Sequence, residues 1–311
     1  MQAILSWMGR HGTALSAASV FTGLLLPELA TQVRPWLGSF VACILTLALL
    51  MVEPARLAGT LRRPLPLLVG AVAMSLATPA LVLGLEPVIG PALGPGLMLG
   101  LYIFAFAPPT LSAPAFAALL GLDAAPALAL CLGLTLVAPV LIPLIAGGLG
   151  VDFPVDATAL AWRLAMIVGP AVVLATAIRT SLGSERILRH RQSLTGLMIF
   201  PLAIFAIGSM DGIAARFLAE PFRMGGILAL GIGLAVGGIL IQTALCRPFG
   251  RSTALALGWC GGNRNLGLIV GAISGITPAD TWAYFALAQF PIYALPLIAK
   301  AVYSRIGTRE G

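Results

Sequence analysis

Ten apolar segments, separated by charged or Pro/Gly-rich breaks, run through this chain at about 13–31, 37–53, 65–85, 88–121, 125–149, 157–178, 193–210, 222–246, 252–275 and 281–302. Most approach the roughly 20 residues that a helix needs to cross a bilayer. Lipid offers no partner for a backbone N–H or C=O, so only helices or a closed barrel can span it. Barrel strands alternate in segments of about ten residues, whereas these runs are long and unbroken. Only 9% of the residues are charged and 59% are hydrophobic. Soluble domains carry roughly a quarter charged residues, so a soluble fold is excluded. The expectation is an all-α polytopic membrane protein whose surroundings are the lipid bilayer.

Charge supplies the topology. If ten spans alternate in direction, thirteen of the eighteen Lys and Arg residues collect on one side. The other side holds Arg34, Arg163, Arg216 and Arg223, with seven of the eleven acids, and Arg264 stays in the membrane. The positive-inside rule then places both termini in the cytoplasm of a cell (inner) membrane protein. The first span lacks a cleavage pattern and is expected to be retained. The formal net charge of +7 therefore serves topology and anionic lipid, and no nucleic-acid partner is expected. Nothing in the sequence sets an oligomeric state.

Two of the segments are interrupted. The ninth contains Gly258-Trp259-Cys260-Gly261-Gly262-Asn263-Arg264-Asn265-Leu266-Gly267-Leu268, and the fourth contains Pro108-Pro109. Proline breaks or kinks a helix, and paired glycines weaken one. Residues 1–150 and 151–311 would be two five-helix repeats of opposite orientation, with the breaks at corresponding places. Paired broken helices in inverted repeats mark a substrate site near the midplane. The helix-break residues are Pro108, Pro109, Gly261 and Gly262. Arg264, Asn263, Asn265, Thr110, Ser112 and Thr135 are the candidate substrate-binding residues. An intramembrane Arg is by default functional, and its planar fork suits a carboxylate or sulfonate. Its structural alternative is a guanidinium that caps broken-helix carbonyls. Thr110 and Ser112 equally suit a helix cap.

Laid out this way, the chain resembles the bile acid:sodium symporter family over nearly its whole length. The likeness includes Leu50-Met51-Val52-Glu53-Pro54, Phe106-Ala107-Pro108-Pro109-Thr110-Leu111-Ser112, Leu136-Val137-Ala138-Pro139-Val140-Leu141-Ile142-Pro143 and Gly262-Asn263-Arg264-Asn265-Leu266-Gly267-Leu268. It implies ten transmembrane helices in two inverted repeats, helices 4 and 9 broken and crossing, core and panel domains, and sodium-driven uptake of organic anions. The departures fall on what the family implies for sodium. Cys260 stands where its symporters carry a Glu, and Arg264 where they carry a Gln. Ala113-Pro114 replaces a Ser-Asn pair, and Ala127, Ala129 and Cys131 replace hydroxyl positions of helix 5, with Thr135 retained nearby. Hard cations want oxygen ligands that include a carboxylate, and a fixed guanidinium would repel one. The expectation is a secondary transporter that moves a small organic anion by alternating access, independent of sodium, with Arg264 supplying the missing charge and no cofactor or metal.

Three alternatives stand beside it: a sodium-coupled symporter, a metalloid efflux carrier using Cys131 or Cys260, and a non-transporting sensor or partner-binding protein. The four cysteines form no CxxC or Cys/His pattern and are expected to be buried small hydrophobes. Gln242 and Gln289 suit interhelical hydrogen bonds, Asp123 a helix cap, and Gly231, Gly233, Gly237 and Gly238 close helix packing. Trp7, Trp36, Trp162 and Trp282 suit interface anchors, and Trp259 a cavity wall. No Ser/His/Asp set or embedded His appears, so no enzyme is expected.

Overall fold

Helices satisfy every backbone group locally, and they dominate the computed structural model, which describes residues 5, 7–9, 11–292, 294, 295 and 298 (backbone alone at 13, 54–56, 115, 116 and 119). Among those residues no strand occurs, and the one β-type pairing is an isolated bridge between Pro109 and Arg264. Six stretches are long and apolar enough to cross a membrane: Pro27–Leu50, Pro64–Phe106, Ala124–Gly148, Ala157–Leu182, Arg191–Ala219 and Pro221–Phe249. This is the make-up of a multi-pass membrane protein.

The principal helices are α1 (Gly12–Leu25), α2 (Leu37–Leu50), α3 (Pro64–Val72), α4 (Thr78–Phe106), α5 (Ala113–Leu119), α6 (Ala124–Gly148), α7 (Ala157–Leu182), α8 (Arg191–Ser209), α9 (Pro221–Cys246), α10 (Arg251–Gly262), α11 (Leu266–Ala272) and α12 (Ala279–Leu287). Proline opens α3 and α9, where its missing N–H costs nothing. Asp123 and Asp156 cap α6 and α7 by accepting from Ala125 N and Ala159 N. The far end of the tenth segment, with Lys300, Arg305 and Arg309, lies outside the described residues.

One boundary differs from expectation. The third and fourth segments were expected to part near residues 86–87, yet helix continues through Glu86, Pro87 and Pro91. The chain reverses instead at Gly94, whose φ of 77° is open to glycine and strained for other residues. Across that reversal Tyr102 comes near Glu86, and Gly90 faces Met98. A straight helix would hold those pairs about 24 Å and about 12 Å apart.

The helices pack in two groups. Helices α1, α2, α7 and α8 pack on one another. The second group joins α3, α4, α5, α6, α9, α10 and α12, while α6 packs closely on α7 and α11 reaches across to α2 and α7, so the two groups are joined along α6, α7 and α11. The closest packing is the α9/α10 hairpin. A Cβ on Gly262 would lie 2.0 Å from Ala235 O, and one on Gly261 would lie 2.3 Å from Gly238 O. Glycine lets these two backbones touch, as small residues do between membrane helices. Gly238 and Gly231 pack as expected, but Gly233 and Gly237 face open space.

At one end of the bundle, polar contacts tie the groups together. Asp211, just past α8, accepts from Arg34 Nη1 at 2.8 Å and from Thr31 Oγ1 at 2.6 Å. The Arg34 guanidinium lies 4.0 Å over the Trp282 ring, whose Nε1 donates to Asp211 O at 2.9 Å. Asp280 accepts from Arg216 Nη2 and Arg223 Nη2, each at 2.7 Å. Trp282 is thus a buried strut, a correction to its expected place at the interface; Trp7, Trp36 and Trp162 are exposed as expected. Cys43 also departs from expectation, since it is exposed on its helix. Partly exposed pairs contribute about 1 kcal/mol or less each and weaken in salt. Asp280→Asn is expected to lower the melting temperature at low ionic strength, and the difference should shrink at about 1 M NaCl. An equal deficit at both salt concentrations would count against an ionic role.

Candidate functional site: the crossing of two broken helices

Helix α4 ends at Phe106 because Pro108 and Pro109 cannot continue it, and α10 ends at Gly262 before Asn263. The two breaks meet. Thr110 N donates to Asn263 O at 2.8 Å, and Asn265 N donates to Pro108 O at 2.7 Å. This short antiparallel pairing satisfies backbone that neither broken helix can satisfy alone. Short helices α5 and α11 leave the crossing on its far side. Pro108 and Pro109 follow the end of α4, Gly261 and Gly262 are the last residues of α10, and the two interruptions come together in space.

Arg264 lies in this crossing with 2% of its surface exposed. Nε donates to Gly261 O at 2.9 Å, Nη1 to Ala107 O at 3.0 Å and to Met74 O at 3.4 Å, and Nη2 to Thr78 Oγ1 at 3.0 Å. Four of the five N–H groups of the fork thus meet an oxygen. Two of those oxygens are the terminal carbonyls of α4 and α10. Each helix C-terminus carries about half a negative charge, so the two together oppose one guanidinium. The Phe104 ring lies 5.6 Å from Cζ. No carboxylate among the described residues lies within salt-bridge distance of Arg264, so helix ends do the work that an acid would do elsewhere. Arg179 and Arg163 do smaller versions of the same job, on the carbonyls at the ends of α2 and α11. A break near Met74, a π-type turn at Ala73–Ala77, frees the third carbonyl.

A cavity of about 80 Å³ adjoins the crossing. Thr110, Ser112, Arg264, Asn265 and Gln289 supply its polar wall, and α2 and α8 supply the apolar one through residues such as Leu45 and Phe205. The volume matches a few waters or a small ion; drug-sized ligands need about 300 Å³ or more. The hydroxyls of Thr110 and Ser112 contact each other, and Ser112 N donates to Thr110 Oγ1 at 3.0 Å. The pair forms a local turn just ahead of α5, and it also faces the cavity.

Two sequence candidates lie elsewhere. Asn263 is buried behind the crossing; Nδ2 donates to Trp259 O at 3.0 Å and Oδ1 meets no partner. Thr135 is buried on α6, also with an unpartnered hydroxyl, and does not border the cavity. Trp259 is buried rather than lining the cavity. Gln242 bridges helices as expected, Nε2 donating to Gly70 O at 3.1 Å. Gln289, expected to do the same, bonds Phe285 O four residues back, just past the end of α12, and reaches the cavity. Thr78 and Met74 escaped the sequence reading; a lone Thr beside Pro79 was the available signal for the first.

At the back of the crossing, Cys131 Sγ on α6 lies 3.9 Å from Cys260 Sγ on α10, and both thiols are buried. Cys131 Sγ donates to Thr110 O at 3.4 Å, so the pair sits one residue behind the cavity wall. No protein-family model and no curated protein matches this chain.

Proposed function

We propose that the chain is a secondary transporter that moves a small organic anion by alternating access, with Arg264 in the place of a coupling sodium ion. The observation that carries this is the buried guanidinium, without a carboxylate, on the carbonyl ends of two broken helices beside a polar-walled cavity. Those helix ends form a negative pole that a mobile cation could otherwise fill. A resident cation leaves no vacancy for sodium there and makes the adjoining cavity favourable to a carboxylate or sulfonate. Thr110, Ser112 and Asn265 offer hydrogen bonds to the same ligand.

In this proposal the chain forms ten spans in two inverted five-helix repeats, within residues 1–150 and 151–311, with both termini in the cytoplasm of a cell (inner) membrane. The α1, α2, α7, α8 group is the panel, and the group around the crossing is the core. Mutual packing of α1, α2, α7 and α8 supports the panel, and α6 with α11 forms its contact with the core. The small cavity suits a carrier caught with its site nearly closed, and relative motion of core and panel would open it. The bile acid:sodium symporter resemblance supplies the same architecture, with its sodium ligands replaced here by Cys260, Arg264 and Ala113-Pro114.

The test is uptake of labelled carboxylates and sulfonates by proteoliposomes in sodium, in potassium and under a proton gradient. The expected result is flux of equal rate in sodium and potassium. Stimulation by sodium would overturn the assignment of Arg264 as its replacement, and absence of flux for every anion would favour a non-transporting sensor.

A further inference from the structure

We propose that Cys131 and Cys260 form a binding site for a single monovalent thiophilic cation of the Cu(I) or Ag(I) kind. The two thiols come from different spans, face each other at 3.9 Å and are shielded from lipid and water. With thiolate–metal bonds of about 2.3 Å, as for zinc, one ion touches both sulfurs at an S–metal–S angle of about 115°. That angle suits trigonal coordination, and Thr110 O lies 3.4 Å from Cys131 Sγ.

Softness and charge select the ion. Two thiolates without a carboxylate or imidazole favour a soft cation over a hard one. No third Cys, His, Asp or Glu joins the pair among the described residues, which argues against a closed tetrahedral zinc site. Binding follows Cu⁺ + 2 RSH → [Cu(SR)₂]⁻ + 2 H⁺, with no change of oxidation state, and both protons leave to solvent. The product carries one negative charge, four residues from the Arg264 guanidinium on the same broken helix. A divalent ion would lack that match. The cavity is the near approach to the pair, since Thr110 both borders it and accepts from Cys131. The ion would pin α6 to α10 across the crossing. This inference concerns binding and holds whether or not the chain transports anions.

The probe is Ag(I) alone, added as nitrate to the full-length protein in chloride-free detergent buffer. Equilibrium dialysis reads stoichiometry, near-ultraviolet sulfur-to-metal absorbance reads the ligands, and a weakly buffered dye reads protons. The background variant Cys43→Ala/Cys246→Ala is expected to bind one ion tightly and to release about two protons per ion. Adding Cys131→Ala or Cys260→Ala is expected to weaken binding at least 100-fold, as is Cys131→Ser/Cys260→Ser, which nearly preserves side-chain volume if an alanine variant fails to fold. Retention of tight binding in a folded variant lacking either thiol would overturn the proposal, as would loss of tight binding in the Cys43/Cys246 background.

Discussion

Arg264→Gln is expected to lower the initial rate of anion uptake into proteoliposomes by about 100-fold or more. The magnitude follows from two losses. A unit charge about 4 Å from an anion interacts by about 4 kcal/mol at an effective dielectric of 20, and charge-assisted hydrogen bonds add about 1.5–3 kcal/mol each. Removal of about 3 kcal/mol from a transport intermediate already slows it by roughly 100-fold. Glutamine can still donate to one of Gly261 O and Ala107 O, so it separates charge from part of the capping role.

Arg264→Lys completes that test. Lysine keeps the charge as a point but lacks the planar fork that reaches Gly261, Ala107, Met74 and Thr78 together. If charge governs transport, Arg264→Lys should keep about a tenth of the wild-type rate, far above Arg264→Gln, while melting below wild type because carbonyls at the crossing are left unpaired. If the guanidinium only caps helix ends, Lys and Gln should fail together and in proportion to their lost stability. Uptake by Arg264→Gln at the wild-type rate would end the case for any charge role.

The sequence carried the crossing further than it carried the contacts. Pro108-Pro109 and Gly261-Gly262 announced their breaks because proline and glycine act through the backbone, and backbone effects are local. Their meeting in space was suggested by corresponding positions along the chain and by the family resemblance, and the Thr110–Asn263 and Asn265–Pro108 bonds give it a physical form. Side-chain direction was not legible. Whether Asn263 turns to the cavity or behind it, or whether Trp282 sits at the interface or under Arg34, depends on helix rotation set by long-range packing. The hairpin lies at Gly94 instead of residues 86–87 because a charged Glu86 reads as a break between apolar segments, while the Tyr102 it approaches is remote in sequence. Pairing of Cys131 with Cys260 depends on the same tertiary placement.

Gly262→Ala is expected to be strongly damaging for so small a substitution. The added Cβ would lie 2.0 Å from Ala235 O, 2.6 Å from Ile239 Cγ1 and 2.9 Å from Ala235 C. Two of those atoms are backbone of α9, which cannot swing aside as a side chain can. The hairpin must open, and because Asn263 and Arg264 follow directly, the opening reaches the bridge to Pro109 and the caps on α4 and α10. Overpacking in a tight interior costs about 1–3 kcal/mol, and coupling to the crossing places this variant at or above about 3 kcal/mol. A fall in melting temperature of about 5 °C or more is expected, together with loss of uptake. The control is Gly237→Ala in the same hairpin, where a Cβ meets nothing within 4 Å. There alanine should leave stability unchanged or raise it by about 0.5–1 kcal/mol, since glycine is the poorer helix former. Equal stability of the two variants would mean that α9 and α10 do not touch where Gly262 faces Ala235, and the crossing would then lose its principal support.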